Sequence, residues 1–268
     1  MDLEDKIAIV TGASRGVGAA IAVALAEAGA HVACAARATR ASPVSLPGTI
    51  DETVERVRSF GRQALAVPTN LAIEGDVERM ALATIEHFGR VDILVNNAAI
   101  SFPGDMEIPL KRHDLMMEVN LRAPFIAMRA VAEDMKRRGE GAILNISSGG
   151  ALNVIPNMMS YGMSKIALER LTMDAAKHLA PSSIAVNCFR IDVPIASEGY
   201  VANVPEHTHD DWEPTDVPAE GVVWMLRQPA SYTGRLVGMK ELGQREGIMK
   251  SKTRVPFQAE PGRIWSWL

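Results

Sequence analysis

Tyr161 and Lys165 stand four residues apart in Tyr161-Gly162-Met163-Ser164-Lys165, a spacing that puts both side chains on one face of a helix, one turn apart. A phenol titrates near 10 in water and exchanges protons slowly at neutral pH. A cation about 4 Å away contributes on the order of 4 kcal/mol at an effective dielectric of 20, or roughly three pKa units before desolvation is subtracted. Such a pair can move a proton to or from a carbonyl or alcohol oxygen. Alone, Tyr-x-x-x-Lys describes an ordinary helix surface, so its meaning depends on what surrounds it.

One of two adjacent serines can serve the same oxygen. Ser148 ends an apolar run and precedes Gly149-Gly150. Its hydroxyl can hydrogen-bond and polarise a substrate oxygen. Ser147 is its neighbour, and strand alternation sends the two side chains to opposite faces, so only one can serve. Asn120 lies in a long helical stretch, where asparagine is mildly unfavourable. Its amide is expected to hold a water that links Lys165 to solvent.

A second group of residues reads as a phosphate cradle. Thr11-Gly12-Ala13-Ser14-Arg15-Gly16-Val17-Gly18 joins an apolar run to an alanine-rich helix. Glycines there let backbone N–H groups approach a pyrophosphate at a helix N-terminus, where the dipole favours negative charge. The next strand ends at Ala36-Arg37. An acidic residue there would bind a ribose 2′-hydroxyl, whereas Arg37 suits a 2′-phosphate. Arg15 is expected to reach the same phosphate, with Arg40 a weaker candidate. NADP(H) is therefore expected over NAD(H). Asn70-Leu71 is placed to clamp adenine. Asn96-Asn97-Ala98-Ala99 combines turn-holding amides with alanines that permit close cofactor approach.

The elements that would position these groups alternate. Strands are expected at Ile7–Thr11, His31–Ala36, Gln63–Pro68, Asp92–Asn96, Ala142–Ser147, Ile184–Ile191 and Arg235–Gly238. Helices are expected at Val17–Ala28, Asp51–Phe60 behind a Thr49 capping box, Asp76–Phe88, Arg112–Arg138 with a reset at Pro124, and Tyr161–Leu179. This is the pattern of an α/β, doubly wound, mostly parallel sheet of about seven strands in one domain. The 268 residues, 47% hydrophobic and 22% charged, suit one globular domain. A net charge of -4 offers no basic field for nucleic acid. No apolar run is long enough for a membrane span, and the charged start is not a leader, so a cytoplasmic protein is expected. Cys34 and Cys188 sit in strand-like runs and read as reduced core thiols.

Three stretches fit neither strand nor helix: Ala38–Gly48, Pro194–Pro218 and Lys240–Leu268. The first expected division is a catalytic domain over 1–239, with 194–218 as its substrate loop, followed by a tail at 240–268. His207, His209, Asp210 and Asp211 raise the alternative of a metal hydrolase. Histidines at i and i+2 face opposite ways on a strand and do not stack on a helix, so no metal site is expected. Trp265 and Trp267 are expected to pack on this or a neighbouring subunit. The pocket walls are expected from Gly149–Pro156, Met158, Met159 and the 194–218 loop.

In this order the motifs resemble the short-chain dehydrogenase/reductase family of Rossmann-fold enzymes, over nearly the whole chain to about Gly238. Ser148 matches the family serine, thirteen positions before Tyr161. The resemblance implies Ser148, Tyr161 and Lys165 as the catalytic set, Asn120 as a relay, and Lys165 on the nicotinamide ribose. It also implies a homodimer or homotetramer built on the two long helices. Gly12, Ser14, Arg15, Gly16, Val17, Gly18, Arg37, Asn70, Leu71, Asn97, Ala98 and Ala99 would hold the cofactor. The 38–48 insert, ending in Gly48-Thr49-Ile50, resembles hydroxysteroid-dehydrogenase-like members. Ile191-Asp192 departs from the family's Pro-Gly. With a one-residue insertion, Ile195 would meet the carboxamide and Ser197 would replace the usual threonine. The expected activity is NADP(H)-dependent interconversion of a ketone or aldehyde and an alcohol, with hydride moving between nicotinamide C4 and the carbonyl carbon. The alternative is an NADP(H)-binding sensor or scaffold without turnover.

Overall fold

A computed structural model of the chain describes residues 1–203 and 212–250. Seven strands form one sheet: β1 (Ile7–Thr11), β2 (His31–Ala36), β3 (Ala64–Pro68), β4 (Ile93–Asn96), β5 (Gly141–Ser148), β6 (Ile184–Ile191) and β7 (Leu236–Gly238). Their order is β3-β2-β1-β4-β5-β6-β7, and every pairing is parallel. The strand order reverses between β1 and β4, where a doubly wound sheet opens a crevice at its carboxyl edge.

Alternate residues of each strand feed two cores, so both faces are covered. Ala8 and Val10 point toward α1 (Gly16–Glu27), α2 (Ile50–Arg58) and α8 (Asp216–Leu226), meeting Ile21, Leu25, Val54 and Val222. Ile9 points the other way, toward α3 (Glu74–Phe88), α5 (Ala123–Arg138) and α6 (Met159–Leu179), with Met80, Val131 and Leu179. Strands buried on both faces read as continuous apolar runs, which is why their bounds fall within a residue of expectation.

The long helix expected at Arg112–Arg138 is divided. α4 (Leu110–Met117) passes through a wide π turn at Glu118–Arg122 into α5. Pro124 stands in the first turn of α5. Its ring would press on the carbonyl of Asn120 in a regular helix, and the widened turn moves that carbonyl aside.

Two of the supposedly irregular stretches are partly ordered. The short α7 (Glu198–Asn203) follows Ser197, and Ile195 bridges to Glu213. Pro218, the end of the stretch read as irregular, lies in the first turn of α8, where its missing N–H is harmless. α9 (Met239–Glu246) extends the folded body beyond residue 239, with Met239 and Leu242 buried in the core. Asp192 explains its start: the Oδ1 accepts from the Lys240 N–H at 3.0 Å, so the residue replacing the family's Pro-Gly caps a helix. The stretch from Ala38 to Gly48 forms no strand or helix, as expected. Cys34 and Cys188 are free and buried, and burial pushes both thiols up to about 12.

The amino edge of the sheet carries a network of paired charges. Asp92 is buried and accepts from the Ile7 N–H, from Arg90 and from Arg138. Asp134 accepts from the Val91 N–H, Arg137 and Arg138.

Candidate active site

At the carboxyl edge, the last three residues of β5 hold three successive turns of α6. Ser148 faces Tyr161 and lowers its pKa, while its hydroxyl accepts from the Gly150 N–H at 3.2 Å. The Ile146 carbonyl accepts from Lys165 Nζ at 2.9 Å. The Ser147 hydroxyl donates to Glu169 Oε1 at 2.7 Å. Alternation therefore separates Ser147 and Ser148 as the sequence suggests, with Ser148 on the tyrosine. The start of α6 is fixed from outside. Asp105 accepts from the Asn157 and Met159 N–H groups, and His113 Nδ1 meets Ser160 Oγ at 2.9 Å.

Lys165 is 2% exposed, and its ammonium lies 5.6 Å from the Tyr161 ring centroid. Burial pulls its pKa down to about 8, with Cys188 and Glu169 pushing back. Tyr161 does not show the acidification expected from its cation. Burial raises its pKa, Ser148 lowers it less, and nearby Tyr200 adds to the rise. In the protein alone, desolvation of the phenol outweighs a cation that faces a carbonyl oxygen rather than the phenolic oxygen.

Asn120 lies in the π turn and is fully buried. Its Oδ1 accepts from the Ile100 N–H, and its Nδ2 donates to the Ile100 carbonyl and Ser164 Oγ. Both amide hydrogens are thus committed to protein, which corrects the expectation of an amide that holds water. Asn120 instead ties the segment after β4 to α6.

The glycine loop fits a pyrophosphate. Gly12 and Gly16 adopt φ values of +69 and +57, which glycine tolerates best. A Cβ on Gly18 would lie 2.2 Å from the Gly12 carbonyl oxygen, so α1 can start this close to β1 only with glycine there. Thr11 Oγ1 accepts from the Asn97 and Ala98 N–H groups, and Asn97 Nδ2 donates to the Thr11 carbonyl. The Asn97–Ala99 segment is thereby stitched to the cradle. Ser14 is buried, and Val17 is packed on the core beside it.

Arg15 does not reach for a phosphate. Its guanidinium donates to the carbonyls of Leu46, Pro47 and Gly48, strapping the 38–48 insert onto the glycine loop. Thr53 donates to the Ala13 carbonyl from the other side. Arg40 is paired with Glu55 at 2.8 Å, so it too is diverted. Arg37 remains: it follows β2, is exposed, and makes no ion pair among the described residues. Asn70 turns its Oδ1 to the Ala72 N–H, while its own N–H meets Asp76, leaving Asn70 and Leu71 half-buried beside β3.

Ile195 is buried in the core, and Ser197 lies over the cradle, 3.2 Å from where a Cβ on Gly16 would be. Sequence reading missed Glu198, whose Oε2 lies 3.4 Å from the same point. It missed Glu169 as well, although 161, 165 and 169 continue one i, i+4 series. Tyr200 stacks on Trp212 at 4.5 Å, and Leu152, Val154, Met106 and Met159 are exposed apolar residues. His207, His209, Asp210, Asp211, Trp265 and Trp267 lie outside the described residues. Among the described residues there is no cluster of three metal-ligating side chains, and no helix is long and apolar enough to cross a membrane.

Comparison with known proteins agrees with this geometry. The short chain dehydrogenase family pattern matches residues 6–193. Dehydrogenase/reductase SDR family member 4 of Sus scrofa is 36% identical over 188 residues, covering 69% of this chain and 64% of that protein. Hydroxysteroid dehydrogenase-like protein 2 of Danio rerio is 30% identical over 256 residues, covering 94% of this chain and 60% of that protein. The chain thus spans less than two thirds of either relative. A solved chain from Xanthomonas campestris, assigned as a dehydrogenase, superposes with a TM-score of 0.82 at 31% identity over 93% of both chains. A short chain dehydrogenase from Mycobacterium paratuberculosis bound to NAD gives 0.78 at 25% identity, over 89% of this chain and 97% of that one. The chain belongs to the short-chain dehydrogenase family.

Proposed function

We propose that the protein is an NADP(H)-dependent oxidoreductase that interconverts a ketone or aldehyde with an alcohol. The observation that carries this reading is Tyr161 facing Ser148 beside buried Lys165, at the sheet edge that also holds the glycine cradle. Gly12, Gly16 and Gly18 would receive the pyrophosphate, Asn97–Ala99 would line the dinucleotide, and Lys165 would hold the nicotinamide ribose. The dinucleotide, when bound, supplies or accepts the hydride.

Tyr161 donates its proton to the carbonyl oxygen during reduction and takes it back during oxidation. Its raised pKa favours the protonated acid in the protein alone. Ser148 donates a hydrogen bond to the same oxygen and holds it against the phenol. Lys165 stabilises the phenolate that proton donation leaves behind.

Arg37 supports the preference for a 2′-phosphate, since the rival cations Arg15 and Arg40 are engaged elsewhere. The exposed Leu152, Val154 and Met159 near the start of α6 and the Tyr200–Trp212 stack favour a bulky apolar substrate. Phe125 on α5 and Met163, Ile166 and Met173 on α6 are exposed apolar residues on the two long helices, in keeping with a homo-oligomer. A panel of aryl, terpenoid and steroid ketones, assayed with NADPH and NADH, tests the reading. Turnover with NADPH at least tenfold above NADH is expected. Equal rates would remove Arg37 from cofactor choice, and cofactor binding without any turnover would favour the sensor alternative.

A further inference from the structure

Glu169 is a buried carboxylate that the proposed chemistry leaves unused. It is 1% exposed, and it lies one helical turn beyond Lys165 on α6. Arg190 on β6 grips it with both arms, Nε to Oε1 at 2.8 Å and Nη2 to Oε2 at 2.6 Å. Ser147 adds its hydroxyl to Oε1 at 2.7 Å. Burying a carboxylate and a guanidinium carries a large desolvation penalty, so this cluster is costly as a mere prop.

Its position suggests what the cost accompanies. Tyr161, Lys165 and Glu169 form one stripe on α6. Ser148, Ile146 and Ser147, three consecutive residues of β5, hold them in turn. We propose that Glu169 is a positioning residue for the catalytic pair. Clamped by Arg190 and Ser147, it keeps Lys165 an ammonium and fixes the register in which α6 presents Tyr161 to Ser148. This builds on the oxidoreductase reading but concerns the protein alone.

The groups facing Lys165 are few. On α6 these are Tyr161 and Glu169. On β6 they are Cys188 and Arg190, with Asp192 just beyond. β5 contributes one carbonyl and two hydroxyls, and the π turn contributes only the Asn120 amide through Ser164. Cys188, whose thiol burial pushes up to about 12, pushes the Lys165 pKa up together with Glu169. Glu169 is thus the one carboxylate on α6 beside the ammonium, and Asp192, whose own pKa burial raises, caps α9.

The test follows the Lys165 side chain by NMR in 13C-lysine-labelled protein without cofactor, its signal assigned by loss in Lys165→Arg. Glu169→Gln keeps the shape and removes the charge. The Lys165 titration midpoint is expected to fall by about one unit, a tenfold weaker proton affinity. In alcohol oxidation, the loss of kcat at high pH should begin at a correspondingly lower pH. Glu169→Asp should restore the midpoint in part. Glu169→Gln combined with Arg190→Gln leaves no unpaired ion, which protects folding. It should show a smaller fall than Glu169→Gln alone. A folded Glu169→Gln or double variant with an unchanged Lys165 midpoint would overturn the proposal. A lowered midpoint in a protein that turns over no substrate would defeat the oxidoreductase reading while leaving the Glu169–Lys165 link intact.

Discussion

Both ends of the sheet bury charge, and they do so in opposite ways. At the amino edge, Asp92 and Asp134 meet Arg90, Arg137, Arg138 and two backbone N–H groups. At the carboxyl edge, the Lys165 ammonium is just as buried, but its direct partner is a neutral carbonyl. A fully partnered ion is a fixed part of the frame, and removing one member strands the other. An ion whose direct hydrogen-bond partner is a dipole keeps a displaced pKa and can respond when a neighbour changes charge. The contrast separates a region that holds shape from one that is poised for chemistry.

The contrast can be broken most severely at Tyr161. Tyr161→Phe removes the proton and leaves the cradle intact. Turnover should fall about 10²–10⁴-fold, with NADPH binding by fluorescence titration nearly unchanged. Substantial residual kcat would sink the role. Next in size is Asp92→Ala, which leaves Arg138 short of a buried partner. A loss of about 3–5 kcal/mol is expected in urea unfolding, with the kcat of the remaining folded protein close to wild type. The smallest effect has the opposite sign. Lys165→Met should stabilise the fold by about 1–3 kcal/mol at pH 7 while abolishing turnover.

The pH dependence of that gain sharpens the comparison. Lys165 titrates at about 8 when folded, against 10.5 for an unperturbed lysine. Between those values the unfolded chain binds more protons, so wild-type stability rises with pH. The advantage of Lys165→Met should therefore be largest below pH 8 and shrink through that window. A pH-independent difference in Tm would show that Lys165 is not buried as a charge.

Much of this was legible in the residues because the pattern was local. Apolar runs marked the strands, Thr49 and Glu52 marked the start of α2, and Gly12, Gly16 and Gly18 marked the cradle. What stayed hidden depended on distant partners. Arg15 looked like a phosphate ligand because nothing local reveals that three carbonyls of the insert take its donors. The 194–218 stretch looked irregular to its end because the place of Pro218 in the first turn of a helix depends on where that helix begins. Asp192 looked like a defect in a motif until Lys240, far along the chain, supplied the N–H that it caps. The acidified phenol failed for a related reason: spacing gives proximity along a helix, but not the balance between a cation and dehydration.

The strap across the glycine loop bears on how a dinucleotide would be captured. Arg15, Thr53 and Gly48 already hold residues 46–53 against the cradle in the protein alone. A loop fixed during folding has no ordering entropy left to lose when a ligand arrives. Association at the adenosine end should resemble entry into a rigid socket: a fast second-order step without a slow closing phase.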